Sequence, residues 1–66
     1  MRTVIVEVKS DILGDDVFWR GPENLIEEIH NLPAKMLART VVTTGKPAQI
    51  GMWHVRIEDE HHDNQA

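Results

Sequence analysis

A chain of 66 residues without a single cysteine has to hold itself together with one small apolar core and no covalent staple. At this length only about 60% of the surface exposed by the unfolded chain is buried, and one core of that size rarely supplies more than about 3–5 kcal/mol of net stability. There is room for one domain, and a structural metal or a second subunit are the remaining ways to strengthen it. A complete, self-contained domain is therefore the expectation. The N-terminal apolar run Val4-Ile5-Val6 is interrupted by Glu7 and Lys9, too soon for a signal-peptide core or a membrane span. No membrane partner is expected, and the cytoplasm is the default location.

Periodicity assigns the elements. Thr3 to Lys9 alternates with period two and is rich in β-branched residues, so it reads as a strand with Val4, Val6 and Val8 on one face. Turn chemistry at Gly14-Asp15-Asp16 and at Gly21-Pro22 makes residues 10–21 a long loop, or a loop holding a brief extended piece. Pro22 suits the first position of a helix, Glu23 places a favourable charge in its first turn, and Leu25, Ile26, Ile29 and Leu32 recur at helical spacing. The spacing predicts a helix over about 22–31. Pro33 should end or kink it, and Met36 and Leu37 continue the rhythm in a second short segment over about 33–38. Residues 39–44 are strongly β-prone, and 51–58 alternate with Trp53, Val55 and Ile57 on one face, so both read as strands, joined by a loop at 45–50. The fold class is α+β, a small single domain of order β-α-β-β, with a three-stranded sheet packed on one kinked helix or two short helices. The domain spans 1–58, and 59–66 form an acidic tail expected to be disordered.

Charge is unevenly spread beneath the net value of −4. Residues 10–28 carry Asp11, Asp15, Asp16, Glu23, Glu27 and Glu28 against Arg20, whereas 29–57 carry Lys35, Arg39, Lys46 and Arg56 and no acid. The tail is acidic again, with Glu58, Asp59, Glu60 and Asp63. Such blocks either pair with one another on a small surface or steer a partner. Direct binding to nucleic acid is disfavoured, because few bases are available to neutralise phosphates.

Candidate chemistry is sparse. Glu60-His61-His62-Asp63, with His54 and His30, lacks the convergent spacing of a metal site, and His54 on an outward strand face reads as a solvated histidine. Ser10 is the sole serine and has no base at a recognisable spacing; Asp15-Asp16 and Glu27-Glu28 are sequence neighbours and do not form an acid–base pair. Gly45-Lys46-Pro47 departs from a phosphate-binding loop, which needs Ser or Thr after Lys and a helix next. No cofactor, metal or enzymatic activity is expected, and no stretch carries a motif that names a family.

Binding is the class that remains. Asp15-Asp16-Val17-Phe18-Trp19-Arg20 combines the residue types enriched at interface hot spots with adjacent acids. Either Phe18 and Trp19 fold back to complete a core with few other aromatics, or one ring stands open as an anchor. Partner-binding candidates are Asp15, Asp16, Phe18, Trp19, Arg20, Glu27 and Glu28. The open face of the sheet, through Ile5, Met52, His54 and Arg56, is a candidate homodimer interface. The expected function is a small acidic regulator or inhibitor that docks on a protein or protein–nucleic acid complex, in the style of phage and mobile-element accessory proteins that block a nucleic-acid-handling machine. A self-associating structural module and a small nucleic-acid-binding protein are the alternatives.

Overall fold

Residues 1–58 are described by the computed structural model; the tail expected at 59–66 lies outside the described residues. Strand β1 (Thr3–Ser10) sits where the β-branched alternation placed it. It runs down the middle of the sheet, so its backbone is paired on both sides. Val4 and Val6 are fully buried on one face, and Ile5 is buried on the other.

Residues 10–21 are not a loop. The turn comes earlier than the Gly14-Asp15-Asp16 chemistry indicated: the Ser10 hydroxyl accepts from the Ile12 and Leu13 amides at 3.2 and 3.1 Å, and Gly14 takes φ +84°. A three-residue turn closed by a left-handed glycine is a standard hairpin solution. The chain therefore returns at once as β2 (Gly14–Pro22), antiparallel to β1 along its whole length. Two things hid this strand. Asp15 and Asp16 mask the alternation, and a β-bulge shifts the register between Val6↔Trp19 and Glu7↔Val17, leaving Phe18 as the extra residue and breaking the period of two.

The helical region also differs from its expected division. Glu23–Glu28 form a short 3-10 helix that buries Ile26; the chain then turns extended at Ile29, which buries its own side chain. The main helix α1 is Leu32–Thr44. Asn31 caps it, its side chain accepting from the Ala34 amide at 3.0 Å, and Pro33 falls in the first turn, where its missing donor costs nothing and no kink results. Residues 39–44, expected as a strand, complete this helix because Val41 continues the buried stripe of Ala34, Leu37 and Ala38. β-Branched residues cost about 0.5 kcal/mol each in a helix, whereas full burial of one valine returns about 1.5–3 kcal/mol. Gly45, at φ +75°, then ends the helix with its amide donated to the Val41 carbonyl at 2.8 Å.

Strand β3 (Ala48–Ile50) occupies part of the expected 45–50 loop and pairs with β4 (Trp53–Glu58). Gly51 supplies the positive φ of +57° at the first turn position and Met52 keeps a negative one, which matches a tight two-residue hairpin. The result is an α+β fold with a four-stranded antiparallel sheet in the order β2-β1-β4-β3 and one main helix, in place of three strands in a β-α-β-β order. Val4, Val6 and Val55 from the sheet, Ile26 and Ile29 from the 3-10 segment, and Ala34, Leu37, Ala38 and Val41 from α1 make the core. Helix α1 lies over β4, β3 and β1 and does not reach β2.

Candidate functional site

The bulge decides the fate of the aromatic segment. Phe18 and Trp19 both turn to the helix side: Trp19 packs against the core, and Phe18 meets Trp53 edge-on, with ring centroids 5.0 Å apart and planes at 83°. Trp19 is thus a core-edge residue, whereas Phe18 stays 46% exposed. Because α1 covers neither β2 nor the hairpin end, Val8, Leu13, Asp16, Val17 and Phe18 line a depression of about 390 Å³ there. Leu13 and its neighbour Ile12 form the hairpin tip, 89% and 91% exposed. These two residues were not singled out from the sequence. The signal that could have found them is Ser10 followed four residues later by Gly14, which marks a tight turn that leaves two large apolar side chains unsheltered.

Electrostatics separates committed charges from free ones. Arg2 donates from Nε to Glu23 Oε2 at 2.9 Å and from a terminal nitrogen to the Val42 carbonyl at 2.9 Å, joining the start of β1 to the 3-10 segment and to the last turn of α1. The Arg2 side chain and its backbone amide together hold the Glu23 carboxyl down at about 2. Arg39 grips Glu27 with two bonds of 2.7 and 2.6 Å, lowering that carboxyl as well. Arg20 pairs with Glu58 across β1, and Arg56 pairs with Glu7 at 3.4 Å. Among the described residues, Asp11, Asp15, Asp16 and Glu28 have no cation within ion-pair distance. Three of these four carboxylates, Asp11, Asp15 and Asp16, flank Ile12 and Leu13 along the chain.

Of the residues singled out in the sequence, Asp16 and Phe18 are brought together at the depression near the hairpin end, while Asp15 lies opposite Lys9 in register, on the other face of the sheet. Arg20 shares that other face, opposite Ile5 in register, and Glu27 and Glu28 belong to the 3-10 segment. The open face carries less apolar surface than its composition implied. Ile5 is only 5% exposed, flanked in register by Arg20 and Arg56, while Met52 is exposed in the β3–β4 turn. His54 is half-buried between Glu7 and Gln49 in register, beside a polar depression of about 420 Å³ that also includes Lys9 and Arg56. Ser10 is occupied in the turn, and His30 is exposed. Among the described residues, no three His, Asp or Glu side chains converge as metal ligands, and no helix is long and apolar enough to cross a membrane. The Glu60–Asp63 stretch lies outside the described residues.

No known family, curated protein or solved structure matches this chain.

Proposed function

We propose that the chain is a protein-binding regulator that docks through the end of its β1–β2 hairpin, with Ile12 and Leu13 as apolar anchors and Asp11, Asp15 and Asp16 as an acidic rim. The observation that carries this reading is the coincidence, at one projecting end, of the two most exposed large aliphatic residues after the N-terminal region with the carboxylates that have no cation among the described residues. Apolar anchors inside a charged rim are the usual anatomy of a specific interface, and the rim sets the partner's sign. The complementary surface is an apolar cleft bordered by Lys and Arg, of the kind a nucleic-acid-handling machine presents. That charge is compatible with a role as an accessory inhibitor of such a machine, in the style of small acidic phage or mobile-element proteins, with binding and not catalysis as the proposed activity.

Support for direct nucleic-acid binding is weaker, since Arg39 and Arg56 are engaged by Glu27 and Glu7, which leaves only Lys35 and Lys46 of the basic block without an ion-pair partner among the described residues.

The test is affinity capture by the tagged full chain from lysate of its host, run beside an Ile12→Asn/Leu13→Asn variant and a Lys35→Gln/Lys46→Gln variant. One stoichiometric protein complex held by the native chain and the lysine variant, and lost by the tip variant, is the expected outcome. Equal retention by the tip variant would remove the hairpin end from the interface.

A further inference from the structure

The two edges of the sheet are unlike. β3 has three residues and is entered through Pro47, whereas β2 has nine and, among the described residues, no neighbour on its outer side. A long edge strand is a template for another strand unless its side chains forbid the pairing. On β2 they select one arrangement. Because Phe18 is the extra residue of the bulge, Phe18 and Trp19 share the helix side, Val17 and Arg20 share the open side, and Asp16 and Gly21 share the helix side again. The alternation of faces therefore reads identically in both directions from the Phe18–Trp19 peptide bond. That palindrome is what a two-fold axis at this point requires.

We propose that a second copy of this chain pairs its β2 antiparallel to this one, about an axis through the Phe18–Trp19 bond, so that Phe18 meets the partner's Trp19, Val17 meets the partner's Arg20, and Asp16 meets the partner's Gly21. The axis stands normal to the sheet and leaves both helices on one side of a continuous double-width sheet. Charge discriminates between the two strand directions. A parallel, in-register pairing would set Asp15 and Asp16 against the same two acids, which is destabilising; the antiparallel register separates the two sets of acids, with Asp16 opposite the partner's Gly21 and Asp15 on the same face as the partner's Arg20. Val17 is 51% exposed and Phe18 46% exposed in the single chain, and the pairing flanks both with another strand. A second subunit also answers the shortage of core that a cysteine-free chain of 66 residues faces. Ile12 and Leu13 lie outside the paired segment, so the pairing is independent of the docking proposed above.

The purified full chain decides the matter without any other protein. One ladder buries less than a standard interface, so dissociation on the order of 1–100 μM is expected, and sedimentation across about 1 μM to 1 mM should show a monomer–dimer equilibrium. The register is then read by cysteine placement, which is clean because the native chain has none. Val17→Cys and Arg20→Cys chains, mixed in equal amounts and oxidised mildly, should give the mixed disulfide about ten-fold over either self-linked product, since directly opposed Cβ atoms are within disulfide reach and the diagonal ones are not. Far-UV circular dichroism confirms that both chains keep the fold. A chain monomeric to about 1 mM, or a dimer that links Val17→Cys to itself as readily as to Arg20→Cys, would overturn the proposal.

Discussion

Gly21 shows how closely single residues are fitted. A Cβ built on it would lie 2.9 and 3.0 Å from carbons of the Trp19 ring, which itself rests on the core. Gly21→Ala therefore displaces the indole, and a loss of about 1–3 kcal/mol is expected in urea unfolding, the usual range for overpacking. Glu23 acts at the same scale through charge. Its carboxyl is held at about 2 instead of the ordinary 4.5, first by the Arg2 side chain and then by the Arg2 backbone amide. A lowered carboxyl favours the folded state above the unfolded value and loses that contribution as pH falls through the folded one. Thermal melts of the native chain and Glu23→Gln should differ at pH 7, with the variant less stable, and should converge as pH is lowered from 4.5 towards 2. Arg2 is exposed and Glu23 half-buried, so the pair is open to solvent on one side and the difference should also shrink in salt.

At the scale of elements, α1 and β2 each set local preference against tertiary burial. In α1 the contest is measurable at Val41, because the same substitution carries opposite signs in the two accounts. If local propensity governed, Val41→Ala would stabilise the helix by about 0.5 kcal/mol. Since Val41 is fully buried against the sheet, a net loss of about 2 kcal/mol is expected instead, from two missing methyl groups and the cavity they leave. Chemical denaturation gives the sign directly. In β2 the resolution is geometric. The bulge spends one residue, Phe18, to put two adjacent aromatics on one side of the sheet, so Trp19 reaches the core while Phe18 braces Trp53. Of the two rings, Trp19 folds back on the core as one side of the alternative posed by the sequence expected, while Phe18 is partly exposed and in edge contact with Trp53.

For the molecule as a whole, the arrangement of charge matters more than its sum. Arginine–glutamate pairs join the strand, 3-10 and helical parts of the chain, and take Glu7, Glu23, Glu27 and Glu58 out of the free acidic surface. Among the described residues, three of the four carboxylates that remain, Asp11, Asp15 and Asp16, belong to the hairpin end, and the fourth is Glu28. If that end docks on a basic cleft, the complex should form more slowly and weaken as ionic strength rises from about 50 to 500 mM, and Asp15→Asn/Asp16→Asn should flatten that dependence. Surface plasmon resonance on the captured partner supplies the measurement. An affinity unchanged across that range would leave the anchors Ile12 and Leu13 without their acidic rim.

Much of the interior was legible locally. Val4 and Val6 on β1 and Val55 on β4 were assigned to the buried face by alternation alone, since each strand presents one side chain in two to the helix. The α+β class followed from the mixture of period-two and helical patterns. Gly14, Gly45 and Gly51 stand where the chain must take a positive φ, a requirement written in residue type. The second strand, the length of α1 and the place of Ile5 were not legible, because each is decided by a partner distant in sequence. β2 exists because β1 offers it a ladder across a bulge; residues 39–44 are helical because the sheet has a place for Val41; and Ile5 is buried because Arg20 and Arg56 lie beside it from neighbouring strands. Local sequence determined which segments could be ordered and which side chains wanted burial. Tertiary structure decided which of two nearly balanced conformations each ambiguous segment took, since burial against a neighbour outweighs propensities of a few tenths of a kcal/mol per residue.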